Sequence, residues 1–263
     1  MTVTDVNVVK SAIFERPDDA NKGTLGSLLC VCGSYGMAGA AVMSANGALR
    51  TGIGLAKCAL PRSIYPIVAQ TILESVYYPL SENADGRISK VNVPFLVSES
   101  CKSSATLVGC GLGVCDDTLR IVFSLIENST TPLVLDADAL NCVAKQPEIL
   151  LRKKAPIIIT PHPGEISRLT GLATPLVNAE RERVALDFAQ KYGVVTVLKG
   201  AGTVIASPNG KVLVNPTGNS GMATGGSGDV LAGMTASILA QGASAFSSAA
   251  AAVYFHGLSL IHI

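Results

Sequence analysis

Five glycines fall within residues 215–231, whose sequence is NPTGNSGMATGGSGDVL. This segment follows a strand-like apolar run at residues 211–214 and leads into an apolar helical pattern at residues 230–240. A glycine-rich loop between a strand and a helix lets backbone N–H groups converge at the helix N-terminus, where free amides and the helix dipole favour an anion. We therefore predict a phosphate site in this loop. It is not a Walker A sequence, because no Lys-Ser or Lys-Thr pair closes it, and any cation must come from elsewhere.

Asp229, near the end of this loop, has two alternative roles. As a helix cap it would stabilise the following helix by about 0.5–2 kcal/mol. As a general base it would take a proton from a substrate hydroxyl that attacks a nucleotide phosphate. A simple cap does not need the dense glycine of Gly225, Gly226 and Gly228, so we favour the general base.

Composition limits the class of protein. The chain has 263 residues, of which 48% are hydrophobic and 15% charged, and its formal net charge is +1. This balance argues against a disordered chain and against a nucleic-acid or acidic-membrane binder driven by excess charge. Mean hydropathy is high at +0.43, yet no apolar run reaches the roughly 18 residues of a membrane span. We expect residues 1–263 to form one domain, because no linker or break in composition is visible.

The cysteines and the N-terminus bear on location. The seven cysteines are odd in number and show no zinc-finger spacing, and most lie in apolar settings. We interpret them as reduced core thiols. The first residues do not form a basic segment followed by an apolar one, so no secretory signal is visible and we expect a cytoplasmic protein.

Apolar runs that predict strands alternate with helical patterns along the chain. This alternation predicts an α/β fold with three layers, in which helices cover both faces of a mainly parallel sheet. Residues 203–206 and 212–214 flank Pro208-Asn209-Gly210 and predict a hairpin at one edge of the sheet. The predicted strands lie at 28–32, 55–60, 75–78, 105–109, 132–135, 155–160 and 194–198. The predicted helices lie at 40–50, 61–70, 91–98, 119–126, 177–192 and 243–260. Helical spacing is also present in the opening segment through Phe14 and after residue 161.

Polar and glycine-rich segments follow several of these strands, where parallel α/β sheets bind their ligands. Residues 109–113 resemble half of a dinucleotide fingerprint, but Val114 occupies the position of its last glycine. Two carboxylates, Asp136 and Asp138, end another strand and suggest ligand or magnesium chemistry, although Asp138 could equally cap the next helix. The segments that we expect at this edge are 33–41, 109–113, 136–141, 160–168, 199–203 and 215–229.

Three further residues at strand ends are candidates for the site. His162 lies between two prolines, so its backbone is rigid and it is not expected to be an ordinary core residue. Glu165 is near a helix start and either caps the helix or orders water on a metal ion. Lys199 ends a buried strand beside two glycines, and it could supply the cation that the loop at 215–231 lacks.

Five of these segments together resemble the ribokinase-like superfamily and, more narrowly, the NAD(P)H-hydrate dehydratases. The resemblance runs in order from about residue 22 to 257, and the combination is more specific than the glycine-Asp loop alone. After Gly257 the chain departs from the pattern, because family members usually continue with a polar segment and another helix. The matching segments are 33–41, 135–141, 160–165, 199–203 and 215–231.

The resemblance implies repair of NADH or NADPH whose nicotinamide ring has been hydrated. A nucleotide phosphorylates the ring hydroxyl, and loss of phosphate restores the double bond. The NPTGN form of the loop is similar to members that use ADP and release AMP. The resemblance also suggests a magnesium cofactor and a homotetramer, with no nucleic acid or membrane as partner.

The same resemblance implies a role for each matched site residue. Asp229 would be the base that faces the hydroxyl, and Glu165 would help to place magnesium, through water. The residues that would contact the hydrated dinucleotide are Ala40, Ala41, Gly113, His162 and Asp229. The residues that would contact the nucleotide and its transferred phosphate are Lys199, Gly200, Ala201, Gly202, Thr203, Gly225, Gly226 and Gly228.

Alternative functions remain at this point. A kinase of the same superfamily that acts on a vitamin precursor or a sugar would share the Asp229 loop, but the segments at Ala40-Ala41 and His162 count against it. A non-catalytic nucleotide-binding regulator would not need Asp229. A nicotinamide-dependent dehydrogenase is disfavoured by the incomplete fingerprint at residues 109–113.

Overall fold

The computed structural model describes residues 6–13 and 15–259. The predicted first helix is present as α1 (Val6–Lys10), while residues 1–5 and Phe14 lie outside the described part. Among the described residues, no helix is both long enough and apolar enough to cross a membrane.

A single nine-stranded sheet runs through the molecule, in the order β3-β2-β1-β4-β5-β6-β7-β8-β9. All neighbouring pairs from β3 to β7 are parallel, and β8 and β9 are antiparallel additions at the far edge. The predicted mainly parallel sheet and its edge hairpin are therefore confirmed. The strands are β1 (Ser27–Val31), β2 (Leu55–Pro61), β3 (Val76–Leu80), β4 (Ala105–Val108), β5 (Leu133–Leu135), β6 (Ile157–Ile159), β7 (Val195–Leu198), β8 (Val204–Ala206) and β9 (Val212–Val214).

Helices cover both faces of this sheet, which confirms the three-layer α/β/α prediction. One apolar core lies between the sheet and α1, α2, α3, α10 and α11, and a second lies between the opposite face and α4 to α9. Strands buried on both faces carry continuous apolar runs, as in β4 to β6. The helices are α2 (Ala38–Arg50), α3 (Tyr65–Thr71), α4 (Val93–Lys102), α5 (Asp116–Asn128), α6 (Asp138–Val143), α7 (Pro163–Thr170), α8 (Thr174–Ala179), α9 (Arg181–Tyr192), α10 (Ser227–Ala240) and α11 (Ala245–Ser259), with 3₁₀ turns at Lys90–Asn92, Pro147–Arg152 and Ser220–Met222.

Two predicted helices differ from the structure. The pattern at 177–192 is divided into α8 and α9, because Glu180 leaves helical geometry, with φ −127° and ψ 41°. Val177 and Val184 are buried on both sides of the break, so the apolar period continues across it and conceals it. The helix predicted at 61–70 starts later, since β2 extends through Pro61 to pair with Leu80.

Helices α2 and α10 cross at very short range beneath the site. A Cβ atom on Gly233 would come within 2.0 Å of the Ser44 carbonyl oxygen, and one on Gly47 within 2.7 Å of the Val230 carbonyl oxygen. Only residues without a side chain allow this approach. The crossing thus packs Val230, the neighbour of Asp229, against Gly47 in the C-terminal half of α2.

Candidate functional site

The glycine-rich loop ends in a sharp turn into α10. Gly226 precedes the helix in the left-handed region, with φ 89°, and Met43 lies so close that an added Cβ would come within 2.0 Å of its sulfur. The first N–H groups of a helix have no intrahelical partner. The Ser227 N–H donates to the Thr224 carbonyl at 3.5 Å, and the N–H groups of Gly228 and Asp229 are available to a ligand. The turn therefore has the anion-binding geometry that the glycine pattern predicts.

The beginning of the same loop is tied to α11. The Asn215 amide donates to the Thr217 side chain at 2.9 Å and to the Val253 carbonyl at 3.4 Å. The Thr217 hydroxyl donates to the Tyr254 carbonyl at 2.9 Å. Gly257 packs against Thr217, and a Cβ atom added to Gly257 would lie 2.1 Å from the Thr217 hydroxyl oxygen. These contacts fix the loop between β9 and α11, and sequence reasoning did not identify Asn215 or Thr217 for this role.

A cavity of 770 Å³ opens beside the loop. This volume lies within the usual range for small-molecule and nucleotide sites, about 300–1,000 Å³. Gly225 and Gly226 belong to the loop but do not line the cavity, whereas His256 of α11 does and was not predicted. The predicted site residues that line it are His162, Lys199, Gly200, Ala201, Gly202, Thr203 and Gly228.

Asp229 occupies the first turn of α10 but does not cap it, since Gly226 is at the N-cap position. Its carboxylate instead belongs to a cluster with two buried side chains, in which one oxygen of the half-buried Asp229, one oxygen of Asp136 and the Cys110 sulfur all lie within 4.8 Å of one another. Cys110 belongs to the turn at 109–113 after β4. The capping alternative is therefore not the role that the geometry of Asp229 supports.

The surroundings change the acidity of Asp229. Burial, followed by the nearby charge of Asp136, raises the pKa of its carboxyl from 3.8 to about 6, although a hydrogen bond from Cys110 and the charge of Lys199 oppose the rise. A base works best when its pKa lies near the working pH. At neutral pH Asp229 is ionised and is a stronger base than an ordinary aspartate.

Lys199 is the cation at the centre of the site. Its Nζ atom lies 2.6 Å from Asp136 Oδ1 and 3.9 Å from Glu165 Oε2. Burial alone would lower the pKa of Lys199, but Asp136 and Glu165 outweigh it and the pKa is raised, so the side chain is an ammonium ion. The sequence indicated the cation, but not the carboxylates that hold it.

His162 and Glu165 form the N-terminal cap of α7. The His162 backbone N–H donates to Glu165 Oε2 at 2.7 Å, and His162 Nδ1 accepts from the Gly164 N–H at 3.0 Å. Burial, helped by Lys199 and Arg168, lowers the pKa of His162 and keeps it neutral, whereas burial raises the pKa of Glu165 to about 7. Of the two roles left open for Glu165, capping is present in the structure.

The segments predicted for a dinucleotide, at 33–41 and 109–113, pack against each other. Ala40 and Ala41 are each 3% exposed at the start of α2. A Cβ on Gly111 would come within 2.7 Å of the Ala40 Cβ, so the turns at 33–41 and 109–113 pack together. Ala40 and Ala41 can reach a ligand only at the surface of this packed turn.

Gly113 is held by Asp138, for which the sequence left two roles open. Asp138 Oδ2 accepts the Gly113 N–H at 2.8 Å, while Ala137 occupies the N-cap position of α6, so Asp138 shapes this turn and does not cap the helix. Arg87 lies across Gly113, where an added Cβ would come within 2.5 Å of Nε. Arg87 was not predicted, because it comes from a polar turn before α4 that carries no motif.

Comparison of the sequence and fold with known proteins shows the family to which the chain belongs. The sequence model of the NAD(P)H-hydrate dehydratase family matches residues 28–262. The chain is 38% identical over 248 residues to the bifunctional NAD(P)H-hydrate repair enzyme Nnr of Moorella thermoacetica, with 94% of this chain and 47% of that protein covered. The chain thus spans about half the length of such bifunctional relatives.

Two further proteins match over most of their own length. The ADP-dependent (S)-NAD(P)H-hydrate dehydratase of Neisseria meningitidis is 36% identical over 245 residues, which cover 92% of this chain and 78% of that protein. The crystal structure of the ADP/ATP-dependent NAD(P)H-hydrate dehydratase from Bacillus subtilis, co-crystallised with ATP/Mg²⁺, aligns with a TM-score of 0.83 at 31% identity, over 98% of this chain and 87% of that one.

Proposed function

This chain belongs to the NAD(P)H-hydrate dehydratase family, and on that premise we propose that it dehydrates hydrated NADH and NADPH at the expense of ADP. The reaction would give NADH or NADPH, AMP and phosphate. The activity makes the protein a lyase that repairs damaged nicotinamide dinucleotides.

The position of Asp229 between the cavity-lining Gly228 and the turn at 109–113 supports this proposal. Next to Asp229, Gly228 lines the 770 Å³ cavity together with Lys199. On its other side Asp229 faces Cys110, in the turn that also contains Gly113. A base next to the cavity lining and in contact with a second glycine-rich turn suits transfer of phosphate to a hydroxyl of another substrate.

The chemistry assigns a role to each part. Asp229 would accept the proton of the ring hydroxyl, whose oxygen attacks the terminal phosphorus of ADP while the bond to AMP breaks. The N–H groups at the start of α10 and the Lys199 ammonium would stabilise the negative charge on the phosphoryl oxygens. The carbon–oxygen bond of the phosphate ester then breaks, phosphate leaves, and loss of a proton from the neighbouring ring carbon restores the double bond.

The binding residues keep their predicted roles as proposals. Gly225, Gly226 and Gly228 would surround the transferred phosphate, and residues 199–203 would contact the nucleotide. Ala40, Ala41 and Gly113 would contact the hydrated dinucleotide. His162 lines the cavity and would lie where the two substrates meet.

Magnesium fits this site only in an indirect way. Glu165 Oε2 already accepts the His162 N–H at 2.7 Å, and Oε1 lies 3.4 Å from His162 Nε2. Glu165 would therefore act on the ion through water, and the nucleotide phosphates would supply direct ligands, as Mg²⁺ prefers. Bound magnesium would neutralise charge on ADP.

We also propose that the protein is a cytoplasmic homotetramer. All seven cysteines are free, which suits a reducing compartment. The edge of the sheet near β3 exposes apolar side chains, among them Leu73 at 83% and Ile67 at 56%, and such a patch suits contact between subunits. Light scattering should then give four times the 27.0 kDa chain mass, and a monomer would contradict the assembly.

The activity is tested by recovery of the near-ultraviolet absorbance of NADH from hydrated NADH. Purified protein and magnesium would be assayed with ADP, with ATP and without nucleotide, and a chelator arm would remove magnesium. We expect recovery with ADP, none without nucleotide and a strong loss with chelator. No recovery from folded protein with either nucleotide would overturn the proposal and favour a small-molecule kinase of the same fold.

A further inference from the structure

Asp136 is the most deeply buried carboxylate of the site and has no role so far. It follows β5 and is 1% exposed. Its Oδ1 atom accepts hydrogen bonds from Lys199 Nζ at 2.6 Å and from the Thr160 hydroxyl at 2.7 Å, and its Oδ2 atom faces the Cys110 sulfur at 3.8 Å. Burial of an ionised carboxylate costs free energy unless the charge is paired, so the ionised form of Asp136 depends on the Lys199 ammonium.

The pair holds Lys199 against the start of α10. Lys199 Nζ lies 3.4 Å from the position that a Cβ atom on Gly228 would occupy, and both residues line the cavity. A lysine side chain has a flexible four-carbon stem and ordinarily turns its charge toward water. Here Asp136 fixes the ammonium beside the N–H groups that face an anion.

We propose that Asp136 is a positioning residue, which holds the Lys199 ammonium where the phosphoryl group of the nucleotide enters the glycine-rich loop. The inference rests on the proposed function and deepens it. A cation held in place before the reaction stabilises phosphoryl charge without reorganisation, which is the main advantage of a preorganised site. Toward the nucleotide Asp136 acts through Lys199 and does not touch the substrate.

The cluster of Cys110, Asp136 and Asp229 could also be interpreted as a metal site. The Lys199 ammonium already lies at hydrogen-bond distance from the Asp136 oxygen, so a positive charge of the chain itself occupies that side of the cluster. The internal ion pair accounts for Asp136 without an added ion.

The test compares D136N, K199M and the double variant D136N/K199M with the wild type. Calorimetry would measure the affinity for ADP and for adenosine, which lacks the phosphates. We expect D136N and K199M each to lower ADP affinity about tenfold, since a charge-assisted contact is lost, and to leave adenosine binding unchanged. In the dehydration assay each should lower kcat about 100-fold, as removal of an oxyanion donor does.

The double variant separates positioning from an independent role. If Asp136 acts on the nucleotide through Lys199, D136N/K199M should bind ADP no more weakly than K199M, because D136N then removes no further contact with the phosphates. Multiplied effects on ADP affinity in the double variant, or wild-type ADP affinity in D136N, would overturn the inference. The comparison of K199M with the double variant decides the question even where D136N alone does not fold.

A matched control removes a buried hydrogen bond far from the site. The Ser100 hydroxyl bonds Thr106 at 2.9 Å and Ser129 at 2.7 Å near the opposite end of β4. S100A should lower the Tm and keep ADP affinity and kcat, which distinguishes general destabilisation from loss of positioning.

The binding and turnover arms also separate this inference from the proposed function. Wild-type protein that binds ADP but does not dehydrate would overturn the function, and the ADP and adenosine affinities would still decide the role of Asp136. Turnover by the wild type together with normal ADP binding by D136N would overturn the inference alone. Wild-type protein that does not bind ADP would overturn both.

Discussion

Asp229 is effective because of the residues around it. Burial and the neighbouring Asp136 raise the pKa of its carboxyl to about 6, close to neutral pH. The same charges make the ionised side chain costly to the folded state. The surroundings of Asp229 thus lower the free energy of unfolding somewhat and make its carboxylate a stronger base, a combination that is common at catalytic groups.

Replacement of Asp229 by asparagine should abolish turnover while ADP binding is kept. Loss of a positioned general base lowers the rate by roughly 10²–10⁴-fold. Because the raised pKa shows that ionised Asp229 is disfavoured in the folded state, D229N should have an equal or higher Tm at neutral pH. The dehydration assay, calorimetry with ADP and thermal unfolding would measure the three effects.

A surface aspartate provides the control for this variant. Asp187 on α9 is 64% exposed and far from the cavity, so D187N should retain activity. Undiminished turnover in D229N would contradict the assignment of the base.

The dependence of kcat/KM on pH should report the ionisation of Asp229. A base must be deprotonated to accept a proton, and the folded pKa is about 6. Activity should therefore be present above this pH and fall as the pH drops through it. Glu165, with a pKa of about 7, is the other carboxyl that titrates nearby, so E165Q should keep the limb near 6 if Asp229 is its source. A limb that disappears in E165Q would contradict this assignment.

The crossing of α2 and α10 packs the helix that carries Asp229 directly against the helix that begins at Ala38. Gly233 and Gly47 allow backbone contact between the two helices. The need for glycine at these two positions comes from the packing of one helix on the other. In either helix alone, alanine at the same position would fit and would increase helix propensity.

Substitution G233A should force the two helices apart. The added Cβ would lie within 2.0 Å of the Ser44 carbonyl oxygen, and overpacking of this kind typically costs about 1–3 kcal/mol. Chemical denaturation would measure the loss in the free energy of unfolding. Gly39 in α2 is the matched control, since its nearest neighbour to an added Cβ is Met43 at 4.0 Å. G39A should be as stable as the wild type or more so, and equal stability in G233A would contradict the proposed constraint.

At the scale of the whole molecule, distant parts of the chain surround the 770 Å³ cavity. His162, Lys199, the loop after β9 and α11 all contribute to its walls. A ligand in this cavity therefore connects elements that local unfolding would separate, and binding should stabilise the entire fold.

ADP should raise the Tm of the protein. At about 100 times its dissociation constant, a ligand that binds only the folded state adds about 2.7 kcal/mol to the free energy of unfolding. For a chain of this size each kcal/mol corresponds to roughly 2–4 °C. Thermal unfolding with and without ADP would measure the shift, and D229N should show the same shift because the base does not hold the nucleotide. The absence of any shift would contradict the assignment of the cavity to ADP.

Local sequence patterns were enough to predict the secondary-structure elements and the edge of the sheet at which the candidate site residues lie. Apolar period, turn residues and glycine content act over a few positions, so they identified the βα alternation, the hairpin and the loop that carries Asp229. The break at Glu180 was missed for the same reason, because the local period continues through it.

The contacts between the candidate site residues depend on the packing of the folded chain. Asp136 and Lys199 are 63 residues apart in the chain, and they become partners because β5, β6 and β7 are neighbours in the sheet. The same arrangement buries Asp229 beside Asp136 and raises its pKa, and it directs Asp138 to Gly113. Local sequence preferences contain no information on these distances, since electrostatic and packing energies depend on which strands lie side by side.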